Sequence, residues 1–238
     1  MGIRYCVNEN FFKSWSHQMA YVLGYLYADG SMEDASYLRG KYVRVSSTDK
    51  ETILMIKKIL DSEHTIVESS PSRGKKQYLL RIGNTPLYDS LIEIGLYPNK
   101  SLTIKIPSVP DEFFSDFVRG YFDGDGCVSL YRTKGILGQE IINKLTIIFT
   151  SGSFDFLHEL CNTLHTRLNL RQQKVYRGDR SFQLRYATED SVKLFEFLFA
   201  KCGQDQYYLQ RKFEIFKYYF QKKPKRVTEE IEKIFQKT

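Results

Sequence analysis

Two short segments hold the residues best suited to chemistry. Val22–Gly30 reads VLGYLYADG and Val118–Gly126 reads VRGYFDGDG. Each closes an apolar, small-residue run with Asp-Gly, which sets Asp29 and Asp125 96 residues apart. On a helix, Gly24 and Ala28 share one face, as do Gly120 and Gly124. Small residues there let two helix backbones approach closely. Two such helices packed about a pseudo-twofold axis would bring Asp29 and Asp125 together at their C-terminal ends. A carboxylate in that place opposes the helix dipole, at about 0.3–1 kcal/mol each. Two like charges held together add to the cost. A hard divalent cation with oxygen ligands would offset both effects. Two carboxylates holding such ions could act on two phosphodiesters related by the same axis. Duplex DNA offers one on each strand.

The elements around these segments also repeat. Tyr78–Gly83 (YLLRIG) matches Phe182–Ala187 (FQLRYA), and Ser47 and Ser151 each lie 34 residues before the Arg of their copy. The second copy has eight extra residues between its motif and its Ser, most simply in the Lys134–Glu140 loop. Such self-similarity indicates two copies of one unit. Each reads as helix, two strands, helix, two strands, helix. The first has a helix over 15–28 stopped by Gly30 as a C-cap. Strands follow over 31–37 and 41–47 around an Arg39-Gly40 turn. A helix over 49–61, strands over 65–69 and 77–82, and a helix over 85–94 ended by Gly95 complete it. The second copy places the same elements over 113–122, 128–131, 144–150, 154–168, 173–176, 182–187 and 190–199. Further helices are expected over 207–220 and 228–236. The expected class is α+β, with two pseudo-symmetric repeats at 1–95 and 113–222. An ordered linker over 96–112 joins them, and a basic, helical extension covers 223–238.

Composition narrows the class of protein. Among 238 residues, 35 Lys and Arg face 28 Asp and Glu, for a net charge of +7. That suits a nucleic-acid partner without requiring one. No apolar run is long enough to cross a membrane. The N-terminus lacks the apolar core of a signal peptide, so a cytosol-like or organellar location is expected rather than secretion. The four widely spaced cysteines, Cys6, Cys127, Cys161 and Cys202, are expected to be reduced and mostly buried.

Strand alternation predicts one core face and one polar face in each sheet. Gln77 and Arg81 alternate with Tyr78, Leu80 and Ile82, while Gln183 and Arg185 alternate with Phe182, Leu184 and Tyr186. Arg44 and Ser46 stand opposite Val43 and Val45. Ser129 and Tyr131, with Lys144 and Thr146, complete the polar set. Arg and Gln can contact guanine and adenine edges in a major groove. Arg73, Lys75 and Lys76 form a basic hairpin tip, matched by Arg177 and Arg180, and such tips suit phosphate.

The two nine-residue segments resemble the motifs of the LAGLIDADG homing endonucleases, and their spacing resembles that of the single-chain, two-motif members. The resemblance covers roughly Trp15 to Phe220. It implies an αββαββα unit occurring twice, motif helices at the subdomain interface, and two antiparallel sheets forming a saddle over DNA. It carries the family's metal-binding acid onto Asp29 and Asp125. The backbone group near position 28 that completes the metal shell stays unassigned. It implies Mg²⁺, with Mn²⁺ able to replace it, and cleavage of both strands of a long target with short 3′ overhangs. Asn99-Lys100-Ser101 and Arg211-Lys212 resemble the family's basic segments, so Lys100 and Lys212 are the expected catalytic cations. The chain departs from the pattern at Tyr27, where Asp123 is the counterpart. It departs again at Arg119, which is expected to face the linker or nucleic acid. The implied protein is a monomer, intron-encoded or free-standing. Alternatives on the same scaffold are an intron-RNA maturase and a non-catalytic DNA-binding regulator.

Two other clusters are read as structural. His158, Cys161 and His165 share a helix face but lack further zinc ligands, so a buried stripe is expected. Lys222 to Arg226 reads as a basic linker.

Overall fold

The computed structural model describes residues 5–35, 37, 40–70, 75–202 and 207–237. The chain divides into two compact units, Met1–Lys100 with Pro107–Gly124 and Ser101–Ile106 with Asp125–Thr238. The packing units and the sequence repeats are therefore cut at different places. The second motif helix packs within the first unit.

In the first unit, α1 (His17–Asp29) starts at Ser16, whose side chain accepts from the Met19 N–H. Residues Met19 to Tyr27 are all buried, as expected for a helix that is apolar all round. It runs directly into β1 (Gly30–Ala35) with no intervening loop. Gly30 does cap the helix, donating its N–H to the Leu26 carbonyl, but its backbone is extended (φ −81°) rather than left-handed. Glycine is needed there for space, because a Cβ would lie 2.5 Å from the Leu26 carbonyl oxygen. β2 (Gly40–Ser47), α2 (Lys50–Ile59), β3 (Ile66–Ser69), β4 (Gln77–Gly83) and α3 (Thr85–Ile94) follow. Arg39 of the expected turn lies outside the described residues. The sheet order is β1-β2-β4-β3, antiparallel throughout. Gly95 ends α3 in the left-handed conformation (φ 106°), where glycine is favoured.

α4 (Phe114–Asp125) completes this unit up to Gly124 and lies against α1. The contact is reciprocal. A Cβ on Gly24 would lie 2.0 Å from the Phe117 carbonyl oxygen, and one on Gly120 would lie 2.0 Å from that of Tyr21. One on Gly124 would strike the Ala28 Cβ. A polar network, buried except at His17, joins the same helices. Asp116 accepts from Arg119 at 2.5 Å and pairs with His17 at 2.7 Å, while Tyr21 donates to Asp123 at 2.8 Å. Arg119 is thus a buried partner of Asp116 one turn earlier, and the expectation that it faces linker or nucleic acid is overturned. Asp123 fixes helix packing.

The second unit repeats the topology. β5 (Gly126–Lys134), β6 (Glu140–Ser151), α5 (Phe154–Leu168), β7 (Val175–Arg177), β8 (Phe182–Tyr186) and α6 (Thr188–Phe199) form a sheet of order β5-β6-β8-β7 with its helices. The eight extra residues do not mainly enlarge a loop. They lengthen the hairpin, since β5 has 9 residues against 6 for β1 and β6 has 12 against 8 for β2. A register shift at Tyr131/Arg132 marks a bulge in it. α7 (Gln210–Lys222) and α8 (Glu229–Lys237) pack on α6 through an aromatic cluster. Phe195 contacts Phe213, Phe216, Phe220 and Phe235, with ring centroids 5.0–5.9 Å apart.

Linker residues Ile104 and Val109 are buried. Two of the four cysteines, Cys6 and Cys127, are exposed rather than buried, Cys127 because it falls on the outward side of β5. His158 and His165 are exposed while Cys161 is buried, so they form no buried stripe. His165 instead bonds the Leu170 carbonyl at 2.5 Å. Among the described residues, no helix is long and apolar enough to cross a membrane.

The α1–α4 contact leaves no room for a methyl group. Gly24→Ala should cost about 1–3 kcal/mol, as overpacking does, read as a lower unfolding midpoint in urea. An unchanged midpoint would mean that the helices separate at no cost.

Candidate metal centre and nucleic-acid interface

Each motif acid is the last residue of its helix and the residue before a strand, Asp29 at α1–β1 and Asp125 at α4–β5. The helices beneath are buried, whereas Asp29 is exposed and Asp125 half-buried. Packing therefore fixes the backbone and leaves the carboxylates accessible. The Asp29 carboxylate lies beside Gly124, where a Cβ would be 3.4 Å from Oδ2. A larger residue at 124 would crowd it.

The two expected basic residues are brought to these helix ends. Lys100, 5% exposed, lies in a short 3₁₀ turn (Lys100–Leu102) after α3 and donates to the carbonyls of Tyr27 at 2.8 Å and Ala28 at 3.4 Å. Lys212, 3% exposed, is carried by α7 and donates to the Gly126 carbonyl at 2.6 Å. Carbonyls at a helix C-terminus are the negative pole of its dipole and lack intrahelical partners. The Lys100 ammonium supplies both a donor and a positive charge there. Sequence reasoning assigned the whole offset to a metal ion, but a lysine supplies part of it.

Tyr25 is a neighbour of Asp29 that sequence reasoning missed. It is 1% exposed, and its hydroxyl is hydrogen-bonded to the Asp29 carboxylate and to Ser47. Burial first, then the Asp29 charge, pushes the phenol well above its ordinary range. A carboxylate can only accept, so Tyr25 donates to Asp29 and its oxygen accepts from Ser47. The Ser47 oxygen accepts in turn from the Asp49 N–H at 3.1 Å. One directed chain of bonds thus runs from the start of α2 to the motif acid. Its signal was present, since Gly-Tyr recurs in both motifs and Ser47 and Ser151 occupy matching positions.

The chemistry of the donor set suits magnesium. Among the described residues, no three His, Cys, Asp or Glu side chains cluster to hold an ion. Mg²⁺ needs no such cage, because it keeps water and completes its shell with one or two carboxylates and substrate phosphate oxygens.

The strand residues fall as alternation requires. Val43, Val45, Leu80 and Ile82 are buried, while Arg44, Ser46, Gln77 and Arg81 lie on the opposite side of the first sheet. In the second sheet Val128, Leu145, Ile147 and Leu184 are buried. Ser129, Tyr131, Lys144, Thr146, Gln183 and Arg185 share the opposite side. Lys75, Arg177 and Arg180 are exposed, and Arg180 adopts a left-handed backbone (φ 57°). Arg73 lies outside the described residues. Lys76 is already engaged, since it and Lys50 both pair with Glu68, whose carboxyl they hold down at about 2. Sequence reasoning also missed Glu33, an acid on the first sheet's polar side that pairs with Arg81 at 3.3 Å and Arg44 at 3.6 Å.

Tyr25→Phe and Ser47→Ala each remove a link from one chain of bonds. Each should cost about 0.5–1.5 kcal/mol, and the double variant should cost less than the sum. Strict additivity in a denaturation cycle would mean that the bonds act independently.

Comparison with known proteins bears on the family and the fold. A family profile described as LAGLIDADG-like domain matches residues 16–95 and 112–198, well over half of the chain. The fold is similar to the crystal structure of the I-LtrWI LAGLIDADG homing endonuclease bound to target DNA. That match has a TM-score of 0.57 at 14% identity, covering 96% of this chain and 97% of that one. It is similar also to the LAGLIDADG meganuclease I-AabMI bound to uncleaved DNA, with a TM-score of 0.55, 14% identity, and coverage of 91% and 96%. I-SmaMI bound to an uncleaved DNA target in the presence of calcium ions matches with a TM-score of 0.56, 12% identity, and coverage of 94% and 97%. In sequence the chain is 28% identical over 194 residues to a probable translation initiation factor IF-2 of Methanocaldococcus jannaschii. That match covers 74% of the chain but 16% of the archaeal protein's length. With both motifs, both sheets and both acid-bearing helix ends in place, the chain belongs to the LAGLIDADG family and has the two-repeat fold of its single-chain homing endonucleases.

Proposed function

We propose that the protein is a site-specific, metal-dependent endonuclease that hydrolyses both strands of a long duplex DNA target and leaves short 3′ overhangs. The observation that carries this reading is the direct junction of each motif acid with a polar-faced sheet. Asp29 and Asp125 would hold Mg²⁺, or Mn²⁺ in its place, which polarises the phosphodiester and the attacking water when bound. The outward Arg, Gln, Lys and Thr side chains contact base edges, and the exposed basic residues at Lys75, Arg177 and Arg180 contact phosphate. Tyr25 holds the Asp29 carboxylate in place. Lys100 and Lys212 fix the carbonyls beside the acids and add positive charge next to the developing phosphorane. One chain carries both repeats, so it acts as a monomer. A translation role is not carried over from the archaeal relative, because the likeness spans so little of it.

Substituting either acid tests the assignment. Asp29→Asn or Asp125→Asn should lower double-strand cleavage by about 100-fold or more while DNA affinity stays within a few-fold of wild type. Cleavage at the wild-type rate in either variant would remove the acids from the mechanism. Tight binding to structured intron RNA in preference to duplex DNA would favour a maturase instead.

A further inference from the structure

The polar sides of the two sheets carry different chemistry. In the first, Arg44 and Arg81 are direct cross-strand neighbours on the two inner strands, β2 and β4. Glu33 pairs with both, at 3.6 Å and 3.3 Å. The Arg81 guanidinium carbon lies 3.6 Å from the centroid of the Tyr42 ring, and Tyr42 is the cross-strand partner of Glu33. One carboxylate and one aromatic face thus hold two guanidinium groups side by side. Each guanidinium has five donors, more than a shared carboxylate can use.

The matching positions of the second sheet differ. Arg185 corresponds to Arg81, but its cross-strand neighbour is Ile148 rather than an arginine. Ser129 stands where Glu33 does, paired with Thr146 where the first sheet has Tyr42. Arg185 has no second arginine beside it; the Gln183 side-chain oxygen holds it at 2.5 and 3.1 Å, and its guanidinium carbon lies 5.9 Å from the Tyr176 ring centroid.

These arginines suit bases better than phosphates. A phosphate placed on Arg44 and Arg81 would sit beside the Glu33 carboxylate and be repelled by it, whereas a neutral base edge is not. Guanine offers O6 and N7 to a guanidinium, cytosine N4 donates to a carboxylate, and the thymine methyl takes apolar contact. We infer that the first sheet reads two neighbouring G·C pairs through Arg44 and Arg81. The second sheet reads one G·C pair through Arg185, beside an A·T pair whose methyl meets Ile148. The two halves of the target are therefore unequal. This inference rests on the reading of the chain as a DNA-binding protein.

The test is binding selection from a randomised duplex pool in EDTA, where cleavage plays no part, with the wild type, Arg81→Gln and Arg44→Gln. Both arginine side chains are more than 40% exposed, so these substitutions leave the core alone, and circular dichroism checks the fold. The wild type should enrich a site with two adjacent G·C pairs in one half only. Gln pairs with adenine, so each variant should move one of those positions from G to A by about tenfold and leave the others unchanged. A recovered site with equal halves would overturn the inference, as would variants that weaken all sequences alike. In either case DNA binding would stand. Enrichment of no sequence would overturn the inference and the DNA-binding reading together.

Discussion

The backbone contact between α1 and α4 is the constraint from which the rest follows. Two glycines make it possible, each seated against the carbonyl three residues before the other. No side chain separates the helices, so their axial positions are fixed by main-chain atoms, which cannot repack. Interiors packed this tightly resist small displacements. The acids at the helix ends inherit that rigidity, and each helix continues into a strand without a loop. The fold thereby joins a chemical group to the edge of a sheet at a fixed distance along the chain, once in each repeat.

Electrostatics at the helix ends explains why buried lysines accompany the two acids. An acid at a helix C-terminus is held against the dipole. Lys100 relieves this for α1 by bonding the carbonyls of Tyr27 and Ala28, and Lys212 bonds the Gly126 carbonyl at the start of β5. The two lysines arrive by different routes, one on a turn after α3 and the other on α7. That second route gives the C-terminal aromatic cluster a purpose beyond stability. Packing of Phe213, Phe216 and Phe220 against α6 sets the position of the helix that delivers Lys212.

The sequence was most legible where local chemistry decides the structure. The bounds of α3 and α5 were read to the residue; Gly95 closes α3 as expected, and Asn84 and Ser153 prove to cap the two starts. The alternation in β2, β4 and β8 also predicted which side is buried. Tertiary forces defeated the reading elsewhere. The second motif helix was expected over 113–122, yet it stays helical to Asp125, and Gly124 is seated against Ala28 of α1. Arg119 was expected to face the linker or nucleic acid, but Asp116 one turn earlier lets it be buried. Lys100 and Lys212 could be named only by resemblance, since no spacing rule predicts a lysine that reaches a helix end from 72 or more residues away. Glu33 was missed because its partners are set by strand register, whereas Tyr25 meets Asp29 one turn along its own helix and needs register only to reach Ser47.

In the proposed function, the two acid-bearing helix ends serve metal-dependent cutting of both strands of one duplex site. The most direct measurement is to sequence the ends that the wild-type protein creates in a large duplex library, with Mg²⁺ and with EDTA. Paired cuts at a recurrent site, leaving short 3′ overhangs in Mg²⁺ and vanishing in EDTA, are the expected result. Cuts confined to one strand, equal cutting in EDTA, or no recurrent ends in a library that contains the host locus would contradict it.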